Sequence, residues 1–232
     1  METTAIRTIH RFSGERLEVA DDLLVVEQQV ILFVNKEKVL STACSPGELR
    51  ELAYGYLLSE GMIKDIDDVL SFCEEEGTIA VGVRPFERVD CPPPIASPLC
   101  IPPERMLTTA AEAHQRAEAF QRTGGTHSVA ICDSSGGMIF VEDISRTCAL
   151  EKALGQALLA KADFSNSLIF LSSRIPVSML TKIARCGISI VGCVSAPTVQ
   201  AVDLADKLGI CLCGFVRGER MNIYSHEERM IT

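Results

Sequence analysis

From Glu142 to Met230 the chain alternates strand-like apolar runs with helix-like runs. No other feature limits the fold as strongly. The apolar runs at 167–171, 188–194 and 210–216 have strand length, while 176–186 and 198–207 carry helical periodicity. Parallel strands joined through helices suit such a series, with the helices covering the faces of the sheet. Gly187 and Gly209 stand where the two helices should end. Upstream come strands at 128–132 and 138–142, joined by Asp133-Ser134-Ser135-Gly136-Gly137, and then a helix over about 147–160. A hairpin followed by β-α-β-α-β predicts a mixed sheet.

Seven of the ten prolines fall within residues 85–103. A stretch so rich in proline is neither a central strand nor a helix interior. It predicts an α/β protein in two parts: a small N-terminal α+β domain (1–90), a proline-rich loop (91–103) and a mixed-sheet domain (104–232). In the first part, two strands over 23–42 are joined at Asn35-Lys36-Glu37. Ser45-Pro46-Gly47-Glu48 reads as a helix start, with Ser45 as N-cap and Glu48 completing a capping box. A short helix at 66–71 and a strand at 78–83 follow. An Ala-rich amphipathic helix over 104–122 ends at Thr123-Gly124-Gly125-Thr126-His127.

Composition excludes several classes. Hydrophobic residues make up 47% and mean hydropathy is +0.21, yet no apolar run approaches the ~18 residues that span a bilayer. Residues 1–11 hold no apolar stretch of signal-peptide length. A cytoplasmic protein with no membrane partner is expected. A net charge of −9 and a pI near 5.0 argue against nucleic acid as a partner. Ten cysteines in a chain without secretory features predict mostly reduced thiols, and the lack of any Cys-x-x-Cys predicts no metal site.

Three groups of residues are candidates for chemistry. Phe215-Val216-Arg217-Gly218-Glu219-Arg220 leaves the last predicted buried strand, where α/β sheets hold ligands, and two arginines around a glycine suit phosphate or pyrophosphate. Cys91 and Cys100 lie in the proline-rich loop and are the cysteines least suited to burial in regular structure. His127, behind two glycines, either faces a ligand or partner or orders its turn. Glu142 and Asp143 read as an acid pair or as charges favouring the dipole of the following helix. Cys211 and Cys213 share one face of a strand, which favours core packing.

In order along the chain, several segments resemble the FdhD family, the formate dehydrogenase accessory sulfurtransferases. Residues 48–61, ELRELAYGYLLSEG, are similar to its N-terminal helix, and Thr123–His127 to its TGGxH segment. Glu142-Asp143 with Arg146 resembles its EDVGRH segment, and Ser173-Arg174 part of its serine-glycine-arginine turn. Ser195-Ala196-Pro197-Thr198 and the 214–224 tail match closely. The likeness runs over about residues 25–230. It implies a cytidine-deaminase-like C-terminal domain and a homodimer. It further implies that sulfur from a cysteine desulfurase is handed to a molybdenum (or tungsten) bis-guanine-dinucleotide cofactor, bound as the sulfuration substrate, to activate formate dehydrogenase. The family's guanine-dinucleotide turn falls on Phe215–Arg220. Its SCGxCG loop is absent; the matching region holds only Cys91 and Cys100, with Cys91 the preferred persulfide carrier. A non-catalytic cofactor-binding chaperone of a molybdoenzyme is the alternative. A deaminase-type zinc needs His-x-Glu and Pro-Cys-x-x-Cys, and neither occurs.

Overall fold

A computed structural model describes residues 2–87, 91–134 and 136–231. Strands β1 (Thr4–Ser13) and β2 (Arg16–Val25) form a two-stranded antiparallel ribbon. Strands β3 (Gln28–Val34) and β4 (Glu37–Cys44) form a hairpin, with Asn35 and Lys36 at φ 48° and 75° in its two-residue turn. The first strand expected from Leu23 onward is therefore corrected, because residues 23–25 close β2.

Helix α1 (Leu49–Ser59) follows, then a 3-10 turn (Ile66–Asp68) and strands β5 (Val69–Glu75) and β6 (Thr78–Val83). The sheet order is β4-β3-β6-β5, with β3 and β6 parallel. The helix expected at 66–71 shrinks to that 3-10 turn because Val69 and Ser71 pair with β6. The α1 cap also differs. Glu48 occupies it at φ 54° with no side-chain cap bond. The Ser45 amide instead donates to Asp143 Oδ2 at 3.0 Å, and its hydroxyl accepts from Ile144 N at 3.1 Å.

Helix α2 (Pro103–Arg116) and α3 (Glu118–Thr123) replace the single helix expected over 104–122. The chain breaks at Ala117 (ψ 63°), and the freed amides of Ala119 and Phe120 donate to the Glu142 carboxylate at 3.0 and 2.9 Å. Then come β7 (His127–Asp133), β8 (Met138–Asp143), α4 (Arg146–Leu159), β9 (Ser167–Leu171), α5 (Val177–Arg185) and β10 (Ile190–Cys193). Helix α6 (Val199–Leu208), β11 (Cys211–Arg217), β12 (Arg220–Ser225) and a 3-10 turn (Glu227–Arg229) follow.

These last six strands form one sheet in the order β12-β11-β10-β9-β7-β8, with β9, β10 and β11 parallel. β9 and β10 are buried on both faces, as parallel strands between helical layers must be. Val129, Ile131, Ile169, Leu171, Val191 and Leu212 pack in one core with residues of α4, α5 and α6. Ala130, Cys132, Leu168, Phe170, Cys211 and Cys213 pack in another with Met106, Ala110 and Ala113 of α2. None of the helices among the described residues is long and apolar enough to cross a membrane.

Helix α1 joins the smaller sheet to the larger by packing along α4. The contact is tight enough to require two glycines. A Cβ on Gly55 would collide with the Glu151 carbonyl oxygen, and one on Gly155 with the Glu51 carbonyl oxygen. Backbone cannot yield as a side chain does, so Gly155→Ala is expected to destabilise the fold by about 1–3 kcal/mol, the cost typical of overpacking. Urea denaturation checks this; an unchanged midpoint would show that the helices part freely.

Candidate functional site

The carboxyl ends of β9, β10 and β11 open into a cavity of about 580 Å³. A cleft beyond the ends of parallel strands is where open α/β sheets bind ligands. Phe170 and Ser172 reach it from the end of β9, Val194 from the end of β10, and Val216, Arg217 and Gly218 from the end of β11. Helix α2 roofs it with Leu107, Ala110, Ala111 and His114, and Thr126, His127 and Ser128 enter from the start of antiparallel β7.

The basic turn is a hairpin. Gly218 and Glu219 connect β11 to β12, Gly218 lies at φ 58°, and Arg217 pairs directly across from Arg220. Like charges directly opposite on an antiparallel pair repel. No carboxylate among the described residues forms an ion pair with either arginine; Arg217 lies over the Phe215 ring, 5.3 Å from its centroid. Phe215 sits at φ 52° within a bulge, a conformation that costs a non-glycine residue about 1–3 kcal/mol. Its amide donates to the Ser195 carbonyl at 3.2 Å. Gly214 is needed here, because a Cβ would stand 2.9 Å from both Pro197 and Tyr224. Of the six turn residues, Val216, Arg217 and Gly218 line the cavity, whereas Phe215, Glu219 and Arg220 flank it.

His127 is half-buried on the cavity wall. Burial, and then the charge of Arg146, hold its pKa below the ordinary histidine value of 6.5. The folded protein thus binds this proton more weakly than the unfolded chain does. The stability linked to neutral His127 is present above about pH 6.5 and is lost as pH falls through the lower folded value. His127→Gln is expected to lose less stability than wild type between pH 7.5 and 5.5. Equal losses in urea titrations would place the acid sensitivity elsewhere.

The two carboxylates beside it are structural. Glu142 accepts from Ala119 N, Phe120 N and Thr126 Oγ1 (2.8 Å), which fastens α3 and the glycine segment to β8. Asp143 is fully buried, 2.7 Å from Lys152 Nζ, and accepts from Ser145 N, the α4 N-cap residue. Neither lines the cavity, so the pair supplies no acid–base chemistry there. Cys211 and Cys213 are core residues with sulfurs 4.0 Å apart.

The segment from Ile95 to Ile101, with Cys100, lies at the other end of the sheet. Ile95 N donates to Leu208 O just ahead of β11, and Ile101 N donates to Arg229 O. Cys100 is exposed and lines a second, smaller cavity with Leu168 at the start of β9. Leu168 and Ser172 are four residues apart, roughly 13 Å along a strand. Cys91 is exposed too, with its sulfur 3.6 Å from Pro92 O, and lines neither cavity. Arg88, three residues ahead of Cys91 and a candidate to favour its thiolate, lies outside the described residues. Within one chain the structure therefore does not bring Cys100 together with the arginine turn, and Cys91 is not among the residues lining the cavity beside that turn. His114 and Phe170 were missed by sequence reasoning, because no motif marks an apolar strand residue or a helical histidine as cavity-lining. Among the described residues no group of three or more His, Cys, Asp or Glu side chains is placed to hold a metal ion.

Comparison with known proteins gives the family. Residues 25–90 and 71–231 match the FdhD/NarQ family. The chain belongs to that family. The sulfur carrier protein FdhD of Bacillus subtilis (strain 168) is 30% identical, over 99% of this chain and 98% of that one. The sulfur carrier protein FdhD of Methanothermobacter thermautotrophicus is 31% identical over 95% and 96%. A crystal structure assigned to a formate dehydrogenase accessory protein from Desulfotalea psychrophila superposes with a TM-score of 0.87 at 23% identity, covering 99% of this chain and all of that one. At that identity the superposition speaks for the FdhD fold alone.

Proposed function

We propose that this FdhD-family protein is a sulfur carrier. It takes sulfur from a cysteine desulfurase and delivers it to a molybdenum (or tungsten) bis-guanine-dinucleotide cofactor for formate dehydrogenase. The relatives named sulfur carrier protein, matched nearly end to end, support the sulfur half of this reading. The observation that carries the substrate half is the Arg217–Arg220 pair at the cavity mouth. Two opposed cations with no carboxylate partner among the described residues are relieved by a bound phosphate or pyrophosphate. The apolar lining from Phe170, Val194 and Val216 suits a flat base.

A cavity of about 580 Å³ takes one ligand of drug size. A cofactor with two guanine-dinucleotide arms outruns it, so two copies of the chain would each hold one arm. The β1–β2 ribbon supports such a homodimer. Ile6, Phe12, Leu17 and Val19 share one face and are 63–70% exposed, although a lone two-stranded ribbon is marginal in water. The cytidine-deaminase-like assignment of the larger sheet belongs to the same reading and is supported by helices on both its faces.

In this mechanism an exposed loop thiol, Cys91 or Cys100, attacks the terminal sulfur of the donor persulfide, leaving the donor as thiol and the carrier as persulfide. The guanine arms are held at the arginine turn. The chaperone reading is favoured by one observation: neither loop cysteine lines the cavity, and Cys100 lies at the opposite end of the sheet. Incubation with a cysteine desulfurase and cysteine, followed by mass spectrometry, distinguishes the two. Protein-bound persulfide is expected, and its absence with guanine binding intact leaves the chaperone.

A further inference from the structure

The smaller cavity measures about 170 Å³ and is walled by Leu99, Cys100, Arg105, Cys132, Asn166 and Leu168, among others. One thiol on its wall, Cys100, is exposed to solvent; the other, Cys132, is 5% exposed on β7 and faces the core beneath α2. The Thr109 hydroxyl of α2, itself 4% exposed, donates to Cys132 Sγ at 3.7 Å. Arg105, one turn earlier on α2, borders the same space and donates to the Asp133 carbonyl, which holds its cation at the cavity. The same helix reaches the larger cavity with Leu107, Ala110, Ala111 and His114. Both cavities therefore border α2, and Cys132 lines the smaller one beside Cys100.

We propose that Cys100 and Cys132 form a two-thiol relay, in which Cys100 takes up sulfane sulfur at the surface and Cys132 accepts it inside the fold. The inference rests on the sulfur-carrier reading and adds a residue to it. The step is balanced without an external oxidant. Cys132 Sγ attacks the terminal sulfur of the Cys100 persulfide; an S–S bond forms at Cys132 and the S–S bond at Cys100 breaks. The Cys132 proton passes to the departing Cys100 sulfur. Cys100–S–SH and Cys132–SH become Cys100–SH and Cys132–S–SH. Burial pushes the Cys132 thiol above its ordinary range, against the Thr109 hydrogen bond and the Arg105 charge. The acceptor thus waits as a thiol, and its deprotonation is tied to the arrival of a sulfur that can take the proton. Once inside, the persulfide is shielded from thiols in solution, which would otherwise strip it.

Full-length protein and glutathione persulfide test the relay. After a short pulse, thiols and persulfides are alkylated and located by peptide mass spectrometry. Wild type is expected to carry persulfide first at Cys100 and later at Cys132. Cys100→Ser changes an exposed position and is expected to lower Cys132 persulfide roughly tenfold or more, since a buried thiol reacts slowly with an external donor. Cys132→Ser is expected to hold the sulfur at Cys100. Should that variant fold poorly, Thr109→Val serves in its place and is expected to slow transfer about fivefold, the weight of one hydrogen bond. Equal Cys132 persulfide in wild type and Cys100→Ser overturns the relay. Persulfide that reaches Cys100 and never Cys132 also overturns it, while leaving the sulfur-carrier reading intact. Persulfide on no cysteine of wild type overturns both.

Discussion

Lys152→Met is expected to destabilise the protein by about 3–5 kcal/mol, the range for stranding one partner of a buried ion pair. Lys152 and Asp143 are 1% and 0% exposed in their side chains and 2.7 Å apart. Lys152 Nζ also donates to the Ser45 carbonyl at 2.8 Å, and Asp143 accepts from the amides of Ser45 and Ser145. The pair thus ties the segment entering α1 to the junction of β8 and α4, where the smaller sheet meets the larger. Methionine keeps most of the lysine volume, so the loss reports the unpaired carboxylate rather than a cavity. Adding Asp143→Asn should recover much of it, since neutralising both partners removes the buried charge. A Lys152→Met midpoint in urea close to wild type would show that water reaches Asp143.

Replacing Arg217 and Arg220 together by alanine is expected to weaken GDP binding by about 2–4 kcal/mol, because charge-assisted hydrogen bonds contribute about 1.5–3 each and rarely add fully. In calorimetry this is roughly a 30- to 1,000-fold rise in Kd. The same change removes two like charges from directly opposed strand positions, so the unliganded variant should be no less stable than wild type. Loss of affinity without loss of stability separates a ligand contact from a fold contact. Equal GDP affinity for the two proteins would move the nucleotide elsewhere.

Much of the larger sheet was legible because its strands are continuous apolar runs punctuated by glycine. Gly209 at φ 74° caps α6, and Gly187 at φ 84° follows the end of α5. The misses share a cause: long-range partners override local signals. Ser45 has the sequence of a helix cap, but its amide and hydroxyl are taken by residues 98 and 99 positions away. Ala117 sits in an unbroken helical pattern, yet the Glu142 carboxylate draws two amides out of the ladder. Strands β1 and β2 bury little, and the large apolar residues of β1, Ile6, Ile9 and Phe12, stand three apart rather than two, so nothing local marks them as a ribbon apart from Gly14 at φ 63°. In the candidate site, the position of Arg217 beside a cavity followed from strand order. The separation of that cavity from Cys100 did not, because it depends on which end of the sheet the proline-rich segment crosses.

Sulfur delivery itself is tested most directly by complementing a strain that lacks its own FdhD protein and measuring formate dehydrogenase activity. Wild type is expected to restore activity, and the Cys91→Ser, Cys100→Ser double variant, with the Phe215–Arg220 turn untouched, is expected to restore none. Full activity from the double variant would contradict a sulfur route through this loop.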